Sequence, residues 1–324
     1  MNRLTATLII NPISGTRSHR SLPRLVSRKL EDLGYQVEIA QTEAHGDATR
    51  LAADAAARGR DLVIAAGGDG TVNETAAALC GTKTALAILP CGSGNGLARH
   101  LDIPIDPVLA LDIIADGRIL ATDYGTVNGD HKFFCTFGVG FDAAVSHTFA
   151  GQRRRGRLSY IKSAVEEVLR FRPEDSTIEA AGPIITRRAF LVAVCNASQY
   201  GNNAYIAPAA SIDDGLLDIT IIHSGNPIQT ALVGVDIMTG YLNHNTLIQT
   251  LKARRVTITR NNDGLAHIDG DPITMGRRLD IECHHNQLRV MVPVGPEMRV
   301  THIITPVRSF INDMRITINH LFAD

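Results

Sequence analysis

The sequence predicts an α/β N-terminal domain with a parallel sheet, followed by a larger, mainly antiparallel, β-sandwich-like C-terminal domain. In the first third of the chain, short apolar runs alternate with segments of helical length, a pattern typical of parallel βαβ units. After about residue 122, strand-like segments follow one another through Asn, Asp and Gly turns, which is typical of antiparallel sheets. The 324 residues, of which 44% are hydrophobic, suffice for two cores. We expect domains over 1–125 and 126–299, with the segment 300–324 packing back on the first.

The elements of the first domain follow from the alternation along the chain. The segments of helical length predict helices over 21–33, 47–58 and 71–80. The apolar runs between them predict strands, namely TATLIINP, YQVEIA, DLVIAA and TALAILP. Ligands of parallel sheets bind beyond the carboxyl ends of the strands, so the turns that follow these runs are the candidate site.

In the second domain, helical patterns are sparse and lie mainly in 158–170 and 227–241. The strand-like segments are LATDYGTVNG, HKFFCTFGVG, RRAFLVAVCN, GLLDITIIH, RRVTITRN, LDIECHH and QLRVMVPV. A last segment, 309–322, places its apolar residues at helical spacing on one face. We expect this C-terminal helix to pack on the N-terminal domain, while a helix lying on a membrane and a dimer contact are the alternatives.

The composition excludes several classes of protein. A net charge of −1 provides no field that would attract nucleic acid or an anionic membrane to the whole molecule. Tryptophan is absent and aromatic residues make up 5%, which argues against the stacking surfaces of single-strand nucleic-acid binders. Five scattered cysteines without C-x-x-C spacing argue against a disulfide framework or a structural zinc site and favour a reducing cytoplasm. No apolar stretch approaches the roughly 18 residues needed to cross a bilayer.

The first glycine turn, Gly67–Glu74 (GGDGTVNE), follows the run DLVIAA and opens a helix. It is neither a Walker loop nor a dinucleotide fingerprint, because Asn73 stands where the third glycine of the fingerprint belongs. Glycines let the backbone turn its amides inward, and the start of the helix adds unpaired N–H groups and a positive dipole end, so the turn suits a phosphate. Asp69 would repel that phosphate unless Mg²⁺ or a proton donor intervenes. The alternative is an ordinary strand-to-helix turn with Asp69 at a cap.

A second glycine turn, Leu89–Leu101 (LPCGSGNGLARHL), has the same design after the next strand. Two such turns on successive parallel strands can face one nucleotide from both sides. A third turn leaves the first strand at Asn11 and brings Ser14, Gly15 and Arg17 to the same edge. An arginine such as Arg17, taken alone, is more often a solvated loop residue.

Together these segments resemble a known family. The motifs NPISG, GGDGTVNE and LPCGSGNGLAR, in this order and spacing, resemble the diacylglycerol kinase catalytic domain that bacterial lipid kinases and sphingosine kinases share. The likeness continues through TDYGTVNG, FGVGFDA, APAASIDDGLLDI and HIDGDPI, and therefore covers nearly the whole chain apart from the C-terminal tail. A GGDGT turn also occurs in NAD kinases and phosphofructokinases, so the ordered set carries the specificity. The resemblance implies a fold like that of NAD kinases and diacylglycerol kinases, with the nucleotide between the two domains.

The resemblance also implies the ligands. ATP is the implied nucleotide, and its binding residues are then Asn11, Ser14, Gly15, Thr42, Gly68, Asp69, Gly70, Thr71, Asn73, Glu74, Gly92, Ser93, Gly94 and Asn95. The segment SIDDGLLD resembles a structural Mg²⁺ site formed by Ser211, Asp214 and the backbone carbonyl of Leu216, although Asp-Asp-Gly is also a common turn before a strand. Asp123 resembles the aspartate that links this metal to the active site.

The DGD motif, Asp269–Asp271, resembles the D-G-E motif whose glutamate is the general base of the family. Here Asp271 replaces the glutamate and is shorter by one methylene. A base must come within about 3 Å of the hydroxyl or act through one water. The alternative is a hairpin turn whose geometry Asp269 and Gly270 provide.

A second departure from the pattern of the family is the YGNN loop, Tyr200–Asn203. Relatives usually carry glycines here, and asparagines tolerate left-handed backbone.

The reaction implied by the resemblance is phosphoryl transfer from ATP to the hydroxyl of a lipid. Mg²⁺ and backbone amides would offset the phosphate charge, Asp69 would organise metal or water, and Asp271 would accept the proton. Diacylglycerol, phosphatidylglycerol and sphingoid bases all offer a reachable hydroxyl at a membrane surface. The basic segment 151–157 (GQRRRGR) is the candidate for transient contact with the inner face of the membrane, or else an exposed basic helix entry. An NAD kinase-like phosphotransferase and a catalytically impaired nucleotide or lipid sensor are the competing functions, and the oligomeric state stays open.

Overall fold

The computed structural model describes residues 4–14, 21–150 and 171–295. The α-helices in these ranges are α1 (Leu22–Asp32), α2 (Asp47–Ala57), α3 (Asp69–Leu79), α4 (Gly96–His100), α5 (Pro107–Asp116), α6 (Phe141–Ala150) and α7 (Pro227–Thr239). The strands are β1 (Leu4–Ile10), β2 (Tyr35–Gln41), β3 (Leu62–Gly67), β4 (Ala85–Pro90), β5 (Arg118–Val127), β6 (His131–Phe133), β7 (Thr136–Gly140), β8 (Glu174–Glu179), β9 (Ile185–Cys195), β10 (Leu217–His223), β11 (Ile248–Ala253), β12 (Arg255–Arg260), β13 (Gly264–Ile268), β14 (Asp271–Met275) and β15 (Arg278–Val292).

The N-terminal half is a parallel sheet in the order β4-β3-β1-β2. Every residue of β3 and β4 is buried, because both faces of these central strands are covered. The register pairs Gly67 with Pro90 and Ile10 with Gln41, so the strands end together at one edge. This edge carries the glycine turns that the sequence predicts.

The C-terminal half is antiparallel, in the order β14-β13-β7-β9-β8-β12-β15, with β10 and β11 extending from β9. A second core, rich in Val, Ile and Phe, lies in this half. The predicted fold class, an α/β domain with a parallel sheet and a β-sandwich-like antiparallel domain, is confirmed. The segments LDIECHH and QLRVMVPV, predicted as two strands, form the single strand β15, which has an irregularity between His284 and Leu288.

Helix ends follow local capping chemistry. Asn226 and Gln229 form a capping box at the start of α7, and Gly240 ends this helix with a left-handed φ of 76°. The sequence prediction of 227–241 therefore overshoots by two residues. Helix α5, which the sequence analysis missed, has an equally clear start, because the Asp106 side chain accepts hydrogen bonds from two backbone amides of the first turn and Pro107 follows it.

Several expectations concern residues outside the described ranges. They are Gly15, Arg17, the basic segment 151–157, the helix over 158–170 and the C-terminal helix over 309–322. The boundary near residue 125 stays a prediction. In the portion of the chain that is described, no helix has both the length and the apolarity that crossing a bilayer requires.

Candidate active site

The turns after β1 and β3 touch each other at the carboxyl edge of the parallel sheet. The Ser14 hydroxyl accepts a hydrogen bond from the Gly68 amide at 3.3 Å. The Asn11 side-chain amide donates to the Thr71 hydroxyl at 3.4 Å. These contacts bring together four of the predicted nucleotide-binding residues, which lie more than 50 positions apart in the chain.

The two glycine turns pack backbone against backbone. A Cβ atom on Gly92 would lie only 2.6 Å from the Gly68 Cα, and a Cβ on Gly94 would lie 2.6 Å from a carboxylate oxygen of Asp69. Both distances are shorter than any van der Waals contact, so these positions require glycine for close approach. The first and second glycine turns therefore form one continuous surface.

Asp69 joins the two turns through its side chain. Its carboxylate accepts hydrogen bonds from the Asn95 amide at 2.8 Å and from the Gly96 amide at 2.7 Å, at the start of α4. A carboxylate at a helix N-terminus is stabilised by unpaired N–H groups and by the helix dipole. These two amides are thus engaged by Asp69. Asp69 therefore caps a helix, as the alternative interpretation of the first glycine turn expects. The capped helix is α4, however, and not α3.

Asn95 closes the second glycine turn on itself. Its side chain accepts a hydrogen bond from the Gly92 amide at 3.2 Å and donates one to the Gly92 carbonyl at 2.8 Å. Its φ of 54° is left-handed, which asparagine adopts more readily than most residues. Ser93 lies at the exposed tip of the closed turn. The side chain of Asn95 therefore shapes the turn, and that of Ser93 is the one accessible to a ligand.

Glu74 holds the turn between β2 and α2. Its carboxylate accepts hydrogen bonds from the Gly46 amide at 3.0 Å and the Ala48 amide at 3.1 Å, and lies 2.6 Å from His45 Nδ1. The same turn carries Thr42, whose amide donates to the Ile10 carbonyl at 3.0 Å. Glu74 thus positions the Thr42 turn against the sheet edge. The remaining predicted residues of this region, Gly70 and Asn73, lie in the first two turns of α3.

The DGD motif forms a two-residue hairpin between β13 and β14. Asp269 and Gly270 have positive φ values of 49° and 90°, as a type I′ turn requires. The Asp269 carboxylate accepts three backbone hydrogen bonds, from Phe134, Cys135 and Thr136, each at 2.8 Å. Burial raises the pKa of Asp269 to about 6, against the opposing effect of these three N–H groups. The sequence alone predicts only a backbone role for this residue.

The hairpin lies beside the second glycine turn. A Cβ on Gly96 would be 3.4 Å from the Cys135 sulfur, and Cys135 is one of the residues that Asp269 binds. Burial, with the charges of Asp269 and Asp69, raises the pKa of the Cys135 thiol well above its usual range. Asp271, the first residue of β14, is exposed and pairs with Ile268. Its role as general base stays a prediction.

The YGNN loop also contacts the second glycine turn. The Asn202 amide donates to the Gly94 carbonyl at 3.5 Å, and the Arg99 guanidinium donates to the same carbonyl at 2.9 Å. Asn202 and Asn203 have left-handed φ values of 51° and 61°, the conformation that the sequence analysis expects them to tolerate. The loop therefore forms the side of the site that the C-terminal half provides.

A buried polar network, missed by the sequence analysis, joins the hairpin to the YGNN loop. His267 Nδ1 accepts from the Gly270 amide at 3.3 Å, so we assign the proton to Nε2, which donates to Asp142 at 3.1 Å. The Tyr200 hydroxyl donates to the same Asp142 oxygen at 2.9 Å. A Cβ on Gly138 would lie 2.1 Å from this oxygen, so the glycine makes room for the network. The network forms because β7 pairs with β13, with Gly138 opposite His267, and the motifs FGVGFDA and HIDGDPI contain its Asp142 and His267.

Asp142→Asn is expected to destabilise the protein by about 1–3 kcal/mol, because a carboxamide keeps only one of the two acceptor oxygens. Its NH2 group must then face either the Ala143 amide or the two donors His267 Nε2 and the Tyr200 hydroxyl. Urea unfolding followed by circular dichroism measures this loss. Tyr200→Phe removes one donor and is expected to lose less. Tyr241→Phe, at an exposed tyrosine, is the control. Equal stabilities for Asp142→Asn and the control would contradict the network.

The predicted Mg²⁺ residues do not fit a metal as they are arranged. One Asp214 oxygen accepts a hydrogen bond from the Leu216 amide at 3.0 Å, and the other pairs with Lys252 Nζ at 2.9 Å. The Ser211 hydroxyl donates to Asp213 at 2.7 Å. Among the described residues, no group of three or more His, Cys, Asp or Glu side chains is placed to hold a metal ion. An ammonium group faces the carboxylate that the metal would need.

Asp123 links the Asp-Asp-Gly turn to the site. Its buried carboxylate accepts from the Gly215 amide at 2.7 Å, His285 Nδ1 at 2.9 Å and the Asn286 amide at 2.7 Å. The Asn196 side chain then donates to the backbone carbonyls of Asp123 and Phe134, both at 2.9 Å. Because Asp269 binds the Phe134 amide, a continuous set of contacts runs from this turn to the DGD hairpin.

Comparison with known proteins agrees with this arrangement. A family model described as the diacylglycerol kinase catalytic domain matches residues 5–127, and one described as the YegS C-terminal NAD kinase beta sandwich-like domain matches residues 135–292. Together they define a class, the lipid kinases built from an α/β catalytic domain and a β-sandwich domain. The chain belongs to the diacylglycerol kinase catalytic-domain family.

Individual relatives support this membership. The chain is 31% identical over 272 residues to a diacylglycerol kinase from Bacillus subtilis, which covers 82% of this chain and 89% of the relative. It is 28% identical over 293 residues to a Yersinia pestis protein described as "Probable lipid kinase YegS-like", covering 89% and 97%. A crystal structure of a diacylglycerol kinase from Bacillus anthracis superposes with a TM-score of 0.72 at 22% identity, covering 90% and 98%. The last comparison shows the shared fold.

Proposed function

We propose that this protein transfers the γ-phosphoryl group of ATP to the hydroxyl of a membrane lipid. The observation that carries the proposal is the meeting of the two glycine turns through Asp69, next to the loop that Asp269 anchors. The family implies use of ATP. The first glycine turn opens α3 at Asp69, so the N-terminal amides of this helix would receive the triphosphate, and Asp271 directly follows the Asp269–Gly270 turn of the hairpin.

In the proposed mechanism, positioning provides most of the rate enhancement, as phosphoryl transfer allows. Mg²⁺ bound with the nucleotide would offset charge on its phosphates. Ser93 and Thr42 would contact ATP, while Asp69 would hold the second glycine turn against the first. Asp271 would accept the proton of the lipid hydroxyl as the bond to phosphorus forms.

Asp271→Asn is expected to lower kcat by about 10²–10⁴-fold with little change in KM for ATP, because a carboxamide cannot accept the proton. Asp271→Glu restores the missing methylene and is expected to keep most of the activity. Steady-state kinetics with a fixed lipid surface concentration measures both variants. Wild-type kcat in Asp271→Asn would place the base elsewhere.

For the acceptor we propose diacylglycerol first, because the Bacillus subtilis relative is named a diacylglycerol kinase. Phosphatidylglycerol and sphingoid bases are the other candidates. The lipid would stay in the bilayer, so the protein would make peripheral contact with the inner face of the membrane, and a reducing cytoplasm suits its five free cysteines. The basic segment 151–157 is proposed for this contact.

The test is incubation of the purified protein with labelled ATP, Mg²⁺ and vesicles that contain one candidate lipid at a time. Mass spectrometry of the lipid fraction identifies the product. A phosphorylated lipid supports the proposal and names the acceptor. Turnover of soluble NAD without vesicles would favour an NAD kinase-like enzyme. Nucleotide binding with no product from any lipid would favour a sensor.

A further inference from the structure

Lys252 lies near the end of β11, opposite the start of β10. Its Nζ lies 2.9 Å from Asp214 Oδ2 and 3.0 Å from Asp218 Oδ2, and donates to the Ala209 carbonyl at 3.4 Å. The ammonium group donates hydrogen bonds to Asp214 and to the Ala209 carbonyl and forms an ion pair with Asp218. Lys252 reaches this position because it pairs directly with Asp218 across the β10–β11 ladder.

The Lys252 ammonium lies between two carboxylates that differ in burial. The Asp218 side chain is 11% exposed and the Asp214 side chain 30% exposed, whereas Lys252 is 35% exposed. Two carboxylates this close repel each other unless a cation lies between them. In the described part of the chain, Lys252 Nζ is the cation that contacts both.

We propose that the Lys252 ammonium takes the place of a divalent cation at the Asp-Asp-Gly turn, so that this turn keeps its shape without a metal. Mg²⁺ would need oxygen ligands at about 2.1 Å and near-octahedral geometry, and one Asp214 oxygen already accepts the Leu216 amide while the other faces the lysine. A metal that used Asp214 would have to displace the ammonium. The lysine is supplied by β11, some 35 residues beyond the SIDDGLLD motif, so the resemblance that implies a metal at this motif does not include the ammonium group.

The turn matters beyond its own strands. Its Gly215 amide is bound by Asp123, and Asn196 connects Asp123 to the loop that Asp269 anchors. A cation fixed covalently to β11 would hold this connection at any magnesium concentration. Under the proposed function, the only magnesium the enzyme needs is then the ion that accompanies the nucleotide.

The test is thermal unfolding of the full chain without nucleotide, in chelator and then in excess Mg²⁺. Wild-type protein is expected to show the same Tm in both. Lys252→Met, which keeps the length of the side chain, is expected to lose about 5 °C in chelator and to regain part of this loss with Mg²⁺. Lys83→Met, at an exposed lysine, is the matched control and is expected to change neither value.

Two results would overturn the proposal. One is a rise in the wild-type Tm with Mg²⁺ that Asp214→Asn abolishes. The other is a loss of Tm in Lys252→Met that added Mg²⁺ does not reverse at all. Should Lys252→Met fail to fold, electron paramagnetic resonance of Mn²⁺ added to nucleotide-free wild-type protein decides instead. We expect no signal from bound Mn²⁺ that disappears in Asp214→Asn. Such a signal would refute the proposal. Because no assay here uses ATP or lipid, the outcome is independent of whether the proposed function holds.

Discussion

Asp69→Ala is expected to weaken ATP binding at least tenfold and to reduce lipid phosphorylation by about 10²-fold or more. The carboxylate holds the Asn95 and Gly96 amides at 2.8 and 2.7 Å, and it is the side chain that joins the two glycine turns. Hydrogen bonds to a charged group contribute about 1.5–3 kcal/mol each, and their loss leaves two amides unpaired. The second glycine turn would then lose its fixed position, so the nucleotide would pay the ordering entropy on binding. Isothermal titration with a non-hydrolysable ATP analogue measures the affinity.

The kinetic pattern separates a positioning role from a chemical one. If Asp69 acts by holding the second glycine turn, ATP affinity and kcat fall together. If it acts directly on the metal or on a reacting atom, Asp69→Ala keeps its affinity for the analogue and loses only kcat. Asp69→Asn keeps one acceptor oxygen and is expected to lie between wild type and Asp69→Ala. An affinity unchanged in both variants would contradict the structural role described above.

Gly92→Ala is expected to abolish nucleotide binding and to destabilise the fold by about 1–3 kcal/mol. The added methyl group would lie 2.6 Å from the Gly68 Cα and 3.0 Å from Asn95 Oδ1, so it meets backbone that cannot rotate away. The two turns would have to separate, which moves the amides of both. Urea unfolding and titration with the ATP analogue measure the two effects.

The control for this variant is Gly234→Ala. Gly234 lies in the exposed part of α7, and a Cβ there meets nothing within 4 Å. Because alanine favours helix over glycine, the control is expected to be neutral or to stabilise by up to about 1 kcal/mol. If Gly92→Ala binds the analogue as well as the control does, the close packing of the turns does not govern nucleotide binding.

Periodicity and local chemistry predicted the fold well. The apolar runs of β1 to β4 alternate with helices, so the parallel sheet and the edge that carries the glycine turns follow directly. Helix α7 has a capping box that can be read from neighbouring residues. Helix α5 has a comparable start at Asp106 and Pro107, which the sequence analysis overlooked. The irregularity within β15 separates two apolar patterns, and this explains why one strand was predicted as two.

Side-chain partners could not be predicted in the same way. Asp69 binds amides 26 and 27 positions away, and Asp269 binds amides more than 130 positions away. Such pairs depend on how strands from distant segments come together, which no local pattern encodes. Lys252 shows the same limit, because the motif that suggests a metal does not contain the ammonium that faces it.

Strand β15 belongs to both halves of the molecule. It pairs with β12 and β5 in the antiparallel half and meets β4 of the parallel half at Val290 and Leu86. The halves are therefore not two bodies on a flexible linker. A motion that separated the halves would have to break the pairing of β15 with β4 at Val290 and Leu86. Under the proposed function, this shared strand helps to set the distance between the glycine turns at the carboxyl edge of the parallel sheet and the DGD hairpin.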